Sequence, residues 1–179
     1  MIPIQNIYYM LSYAFQVLNE QGYKNIATEQ FNNTGELMAA ILEKGIAIQL
    51  KRGLGKEYIL QTEALSSLRG KIDIAESIKT QSMLRKQLIC TYDEFSVNSI
   101  MNRIIKSTVE LLLRSNISKQ RKKNLRKLMV YFREVDFIDL YTVNWNVQYN
   151  RNNQTYRMLI SICYLVVKGL LQTQSNGHT

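Results

Sequence analysis

The sequence predicts an α+β fold, a mainly helical domain carrying a small antiparallel sheet, and three observations lead there. Apolar residues recur at helical spacing in five long segments, strand-like stretches are gathered in the middle of the chain, and 179 residues include only one Pro and eight Gly. That composition leaves no room for a Pro-rich or Gly-rich linker, and no repeat or low-complexity tract interrupts it. With 46% hydrophobic residues, the chain is long enough to bury a proper core. It therefore reads as one domain over residues 1–174, with room for a projecting subregion, followed by a polar tail at 175–179.

The elements follow in chain order. Pro3 sets an extended lead-in, Asn6 is positioned to cap, and Ile7, Leu11, Phe15 and Leu18 predict a helix from Ile7 to Glu20. Tyr8, Tyr9, Met10 and Tyr13 widen its apolar face nearly all round, as expected of a helix packed inside the domain. In "NNTGELMAAILEKGIAIQLKRGLG", Thr34 or a neighbouring Asn caps a second helix marked by Leu37, Ile41 and Ile48. Gly53 and Gly55 stop it after Arg52, and Lys51 and Arg52 suit the negative end of its dipole.

"KEYILQTEAL", "GKIDIA" and "QLICTYDEF" carry β-branched and aromatic residues over strand lengths, with "SSLRG" as the turn between the first two. Helical spacing returns in "SVNSIMNRIIKSTVELLLRSN" through Ile100, Ile104, Val109 and Leu112, with Ser96 or Asn98 as cap. Ser118 opens "SKQRKKNLRKLMVYFREV", which sets Leu125, Leu128 and Phe132 against Lys119, Arg121, Lys122, Lys123, Arg126 and Lys127. "DFIDLYTVNWNVQYNRNNQ" reads as irregular or short-stranded. "TYRMLISICYLVVKGLLQTQ" is a last helix, apolar nearly all round and hence central.

Lys and Arg outnumber Asp and Glu by 23 to 14, a net charge of +9. Such a surplus favours phosphate backbones or an acidic protein surface, and charge alone does not choose between them. The longest apolar run is too short for a bilayer and is broken by Lys168, and the N-terminus lacks the positive flank of a signal peptide. The expected location is cytoplasmic, with no membrane contact. Cys90 and Cys163 lie far apart in apolar surroundings and read as two reduced core thiols, while the one His is at position 178.

The search for chemistry finds no catalytic and no metal-binding residue to nominate. "RGLGKEY" lacks the spacing of a phosphate loop. Asp73, Glu76 and Lys79 in "IDIAESIK" come nearest to a metal-dependent nuclease set, but Glu76 and Lys79 read more simply as part of a short surface helix. Asp93 and Glu94 are adjacent on a strand, so they face opposite sides rather than converge on one proton. Lys119, Arg121, Lys122, Lys123, Arg126 and Lys127 suit either a grip on nucleic-acid phosphates or a solvated helix face, and no row of exposed aromatics accompanies them. Lys51 and Arg52 beside Gly53, and Arg69 and Lys71 beside Gly70, put cations at tight turns open to a partner's phosphate or acidic surface. Ordinary turn chemistry is the competing reading for all four.

Five stretches taken in order, "IPIQNIYYMLSYAF", "LKRGLGKEY", "TEALSSLRGKIDIAESIK", "YDEFSVNSIMNRIIKSTVELLL" and "YRMLISICYLVVKGLL", resemble the N-terminal region of the McrC subunit of McrBC-type, methylcytosine-specific restriction systems. The resemblance covers almost the whole chain. It implies a partner-docking domain that enters the central pore of a hexameric AAA+ GTPase ring, McrB, stimulates GTP hydrolysis and couples it to DNA cleavage by a C-terminal PD-(D/E)xK nuclease domain. The chain ends at "SNGHT", about where that nuclease domain is expected to begin, and no residue matches the nuclease motif. The resemblance thus implies a noncatalytic assembly and activation role, with DNA as part of the complex. No cofactor is expected on this chain, and the partner is expected to use GTP and Mg. Lys51, Arg52, Arg69 and Lys71 are the candidates for that activating contact because they sit at turns between ordered elements; the resemblance covers their neighbourhood without assigning their roles. A free-standing basic DNA-binding module is the alternative, and a compact nuclease using Asp73 and Glu76 a third reading.

Overall fold

Capping residues and glycines fix where the helices begin and end, and the packing follows from their apolar faces. A computed structural model describes residues 4–20 and 33–175. Pro3, His178 and the tail beyond Ser175 lie outside the described residues. The chain divides into two compact units: the residues up to Leu54 together with those from Ile100 onward, and Gly55–Ser99. The class is the expected one, mainly helical α+β with a three-stranded antiparallel sheet.

The first unit holds α1 (Ile4–Glu20), α2 (Thr34–Arg52), α4 (Ile100–Leu113), α5 (Lys119–Met129) and α6 (Gln154–Ser175); α3 belongs to the second unit. Asn33 caps α2 by accepting the Glu36 N–H at 2.7 Å, and Ser118 caps α5 by accepting the Arg121 N–H at 3.2 Å. At the other end of α2, Gly53 takes a φ of 91° and donates its N–H to Leu50 O at 3.1 Å, which ends the helix where the sequence placed its stop. Helix α6 is central, as expected, and packs against α1, α2 and α4. Met158, Leu159 and Ile162 of α6 are essentially inaccessible, as are Leu18, Ile41, Leu42, Ile46, Ile104, Ile105 and Leu112 of the helices around it. Where α2 meets α6, a Cβ on Gly45 would stand 2.5 Å from Met158 Cε and 2.7 Å from Leu159 Cδ2, so the absent side chain permits the approach. Residues 133–153 form no helix or strand, and Trp145 meets the Tyr164 ring edge-on at 5.3 Å.

The expectations for α1 are corrected: the helix begins at Ile4, so Asn6 lies inside it rather than capping it, and its burial is one-sided. Tyr8 and Tyr9 are 75% and 69% exposed, whereas Ala14, Val17 and Leu18 are buried, so the helix is packed on one side only. At 3.6 residues per turn, Ile7, Leu11, Ala14 and Leu18 share an arc, Tyr9 falls across the helix from it and Tyr8 at its margin.

The second unit is built on strands β1 (Glu57–Leu65), β2 (Lys71–Ile72) and β3 (Leu88–Ser96). Their order is β1-β3-β2, with both outer strands antiparallel to β3. The register runs from Glu57 opposite Ser96 to Leu65 opposite Leu88, and places Lys71 opposite Thr91 and Ile72 opposite Cys90. Only the start of "GKIDIA" joins the sheet, a further correction. Asp73 leaves the strand to cap α3 (Ile74–Lys79), its carboxylate accepting the Glu76 N–H at 2.9 Å, and this bond draws the β-branched Ile74 into a helix. A short 3-10 turn, Ser82–Arg85, leads back into β3.

Cys90 and Cys163 are free and buried, as their surroundings suggested, and burial pushes the Cys163 thiol up to about 12. No helix among the described residues is long and apolar enough to cross a membrane.

Candidate functional site

The four turn cations divide between the units. Lys51 and Arg52 end α2 in the helical unit, both exposed, where the carbonyl end of the helix favours positive charge. Arg69 and Lys71 belong to the sheet unit and flank Gly70.

Around Gly70 the geometry is tightly determined. Its φ is 65°, and a Cβ there would lie 2.3 Å from Thr91 O and 2.7 Å from Tyr92 Cβ. The turn therefore rests directly on β3, in a conformation and at a distance that only glycine satisfies. From this turn Arg69 reaches over β3, with its guanidinium carbon 3.9 Å from the centroid of the Tyr92 ring. A cation–π contact at an exposed arginine stabilises by about 0.5–1 kcal/mol. Tyr92 is only 8% exposed, and its hydroxyl donates to the Glu63 carboxylate. The register explains the pairing: Tyr92 stands opposite Gln61 and Glu63 opposite Cys90, so the two are diagonal neighbours on one face. That hydrogen bond first, and burial second, raise the Tyr92 phenol above its ordinary pKa, against the opposing charge of Arg69. Arg69 itself is exposed and makes no ion pair among the described residues.

Lys71 lies on the other face of the sheet, level with Thr91, whose hydroxyl shares a 2.9 Å hydrogen bond with that of Thr62. This face carries the exposed aromatics that sequence reading did not find. Tyr58 (74% exposed) and Phe95 (55%) pair with ring centroids 4.9 Å apart, Leu60 lies beside them, and Lys56 Nζ is 5.8 Å from the Phe95 ring.

The basic tract on α5 does not act as one patch. Lys119, Lys123, Arg126 and Lys127 are exposed and Lys122 is half-buried, whereas Arg121 turns into the junction with α2. There its guanidinium donates to Glu36 at 3.2 Å and to Glu43, and Asn124 donates to Glu43 at 2.8 Å. Glu36 also accepts the Ser118 N–H at 2.9 Å and its hydroxyl at 3.0 Å. Burial works to raise the Glu36 pKa, but the Ser118 amide, Arg121 and the Ser118 hydroxyl outweigh it and hold the carboxyl below its ordinary value. Nothing in the sequence signalled this contact, because 85 positions separate Glu36 from Arg121.

The carboxylates weighed for chemistry in the sequence are not brought together. Asp73 is committed to the α3 cap, and Asp93 and Glu94 stand opposite Leu60 and Ile59 on alternate sheet faces. Among the described residues no group of three His, Cys, Asp or Glu side chains is placed to hold a metal ion. A groove of about 400 Å³ at the start of α2 is lined largely by Met38, Leu112, Ile117, Leu165 and Val166.

The family described as McrBC 5-methylcytosine restriction system component matches residues 5–179. The Escherichia coli K12 type IV methyl-directed restriction enzyme EcoKMcrBC is 28% identical over 179 residues, covering 99% of this chain and 51% of that protein. The chain thus spans about half the length of the curated relative it matches. Among solved structures, the fold is similar to a chain of the cryo-EM structure of the Thermococcus gammatolerans McrBC complex, with a TM-score of 0.62 and 22% identity over 91% of this chain and 50% of that one. It is also similar, with a TM-score of 0.60 and 22% identity over 88% of this chain and 41% of the other, to a chain of a half-complex from a tetradecameric assembly of Thermococcus gammatolerans McrB AAA+ hexamers with bound McrC.

Proposed function

The chain belongs to the family of McrBC 5-methylcytosine restriction system components, and from that premise we propose that it is a noncatalytic domain that docks on an AAA+ GTPase ring of the McrB kind and stimulates GTP hydrolysis. The observation that carries this reading is the family match. The family match takes in residues 5–179, while the same residues account for only half of the curated relative. The whole relative's activity is therefore not carried over to these residues, and assembly and activation are the roles we propose for them. Two further points support it: solved structures sharing this fold include McrC bound to McrB hexamers, and the described turns present cations on ordered backbone.

In this reading GTP and Mg²⁺ belong to the ring. The chain supplies positive charge, which speeds encounter with an anionic site and stabilises charge that develops during phosphoryl transfer. An arginine delivered in trans raises such rates by roughly 10³–10⁵-fold. The same cations also act if they only bias the ring toward its active arrangement. Lys51, Arg52, Arg69 and Lys71 are the residues proposed for this contact. The test is to mix the chain with the intact cognate ring and follow co-elution with and without a GTP analogue. Nucleotide-dependent co-elution is expected, and a chain that elutes alone beside an assembled, nucleotide-bound ring would refute the proposal.

A second reading has one observation in its favour, the exposure of Lys119, Lys123, Arg126 and Lys127 along α5. As a free-standing DNA-binding module, the chain would bind duplex DNA alone with a steep salt dependence. Neutral replacement of Lys122, Lys123, Arg126 and Lys127 would then abolish that binding.

A further inference from the structure

We propose that Tyr92 and Glu63 are positioning residues that hold Arg69 as a preformed fork for an anionic group, phosphate or carboxylate, of the docking partner. This rests on the reading of Arg69 as one of the activating cations. Three constraints act on that one side chain. Its backbone is pinned, because Gly70 lies so close to β3 that even a methyl group would collide with Thr91 O and Tyr92 Cβ. Its guanidinium is laid on the Tyr92 ring, 3.9 Å from the centroid. The ring is in turn fixed by burial in the central strand and by the hydrogen bond from its hydroxyl to Glu63.

With the Tyr92 ring 3.9 Å from its central carbon, the Arg69 guanidinium is covered on that side, and its planar set of N–H donors has the fork geometry that matches two oxygens of a carboxylate or phosphate. Arg69 is exposed and forms no ion pair among the described residues, so those donors remain for an incoming group. Arg121 shows the contrast within the same chain, its donors being taken up by Glu36 and Glu43. The Glu63 carboxylate has a second effect, since an acceptor on the phenol hydroxyl enriches the ring face that Arg69 sits on. A free arginine must be ordered when its partner arrives, and here most of that ordering has already taken place.

Two measurements on the whole chain test this. The first is the Arg69 side-chain N–H signal by NMR. Ring current from Tyr92 should shift it upfield of its position in Tyr92→Leu, and Tyr92→Phe should retain the shift. An Arg69 signal at the same position in wild type and Tyr92→Leu overturns the positioning role whatever the activity. The second is the GTPase rate of the cognate ring as this chain is titrated, which separates maximal stimulation from half-saturating concentration. Arg69→Ala and Tyr92→Leu should each lower maximal stimulation on the order of tenfold. Tyr92→Phe should keep most of it, Glu63→Gln should fall between, and Arg69→Ala with Tyr92→Leu should be no worse than Arg69→Ala alone. Losses that multiply in the double variant would mean that Tyr92 acts through the fold and not through Arg69. Unchanged stimulation in Arg69→Ala would instead overturn the activating role of Arg69 itself, and the inference with it. Thermal unfolding of each variant accompanies the rates, and the milder Tyr92→Phe and Glu63→Gln decide the matter if Tyr92→Leu does not fold.

Discussion

Gly70 shows how much one residue can determine. It combines a left-handed φ of 65° with a distance of 2.3 Å from a would-be Cβ to Thr91 O, and neither can be relieved by moving a flexible side chain. Gly70→Ala should cost about 2 kcal/mol or more, read by urea unfolding and by faster amide exchange in β2 and β3. The tyrosines that open α1 teach the opposite lesson. Tyr8 and Tyr9 were expected inside the domain and are exposed, because aromatic content says that a helix has apolar surface but not which arc the rest of the chain covers. Tyr9→Ser should accordingly change stability by no more than about 0.5 kcal/mol. Leu18→Ala, at a site with no exposure, should cost about 3 kcal/mol in the same assay.

Between elements, the junction of α2 and α5 carries charge that a reading of α5 alone assigns to the surface. Arg121 bridges Glu36 and Glu43 with its side chain 17% exposed, so Arg121→Ala leaves two largely buried carboxylates without their counter-charge. A loss of about 3 kcal/mol is expected, whereas Lys123→Ala and Arg126→Ala, whose side chains face water, should stay near wild type in denaturant unfolding. The pH dependence has a definite sign. The folded pKa of Glu36 is depressed, so its contribution is complete above the ordinary glutamate value of about 4.3 and is lost as pH falls through the folded value. Glu36→Gln should therefore flatten the acid limb of a stability profile and lower stability at neutral pH. The cap at Ser118 and the strands β1 and β3 were legible in sequence, and the α2 cap was narrowed to Thr34 or a neighbouring Asn, since each is written in a few adjacent residues. The Glu36 contact with Arg121 and the stacking of Arg69 on Tyr92 were not, because helix packing and strand register decide them. At "GKIDIA" the capping preference of Asp73 overrode strand propensity, a contest that local pattern leaves open.

For the molecule as a whole, the ordered succession of five short stretches carried the family, and the match over residues 5–179 bears it out. Which cations matter was not written there, because Lys and Arg at turns look alike until their surroundings are known. The excess of positive charge, +9 in total, predicts that association with an anionic ring site slows as ionic strength rises. Stopped-flow binding at increasing salt should show that fall mainly in the on-rate. The most direct test of the central claim is the GTPase rate of the cognate McrB-like ring with and without this chain, at saturating GTP and with ring binding monitored in the same samples. The account predicts a clear rise in rate that Arg69→Ala largely removes while the chain stays bound. A rate that remains flat with the wild-type chain fully bound would contradict it and leave the chain a tether, with activation residing elsewhere.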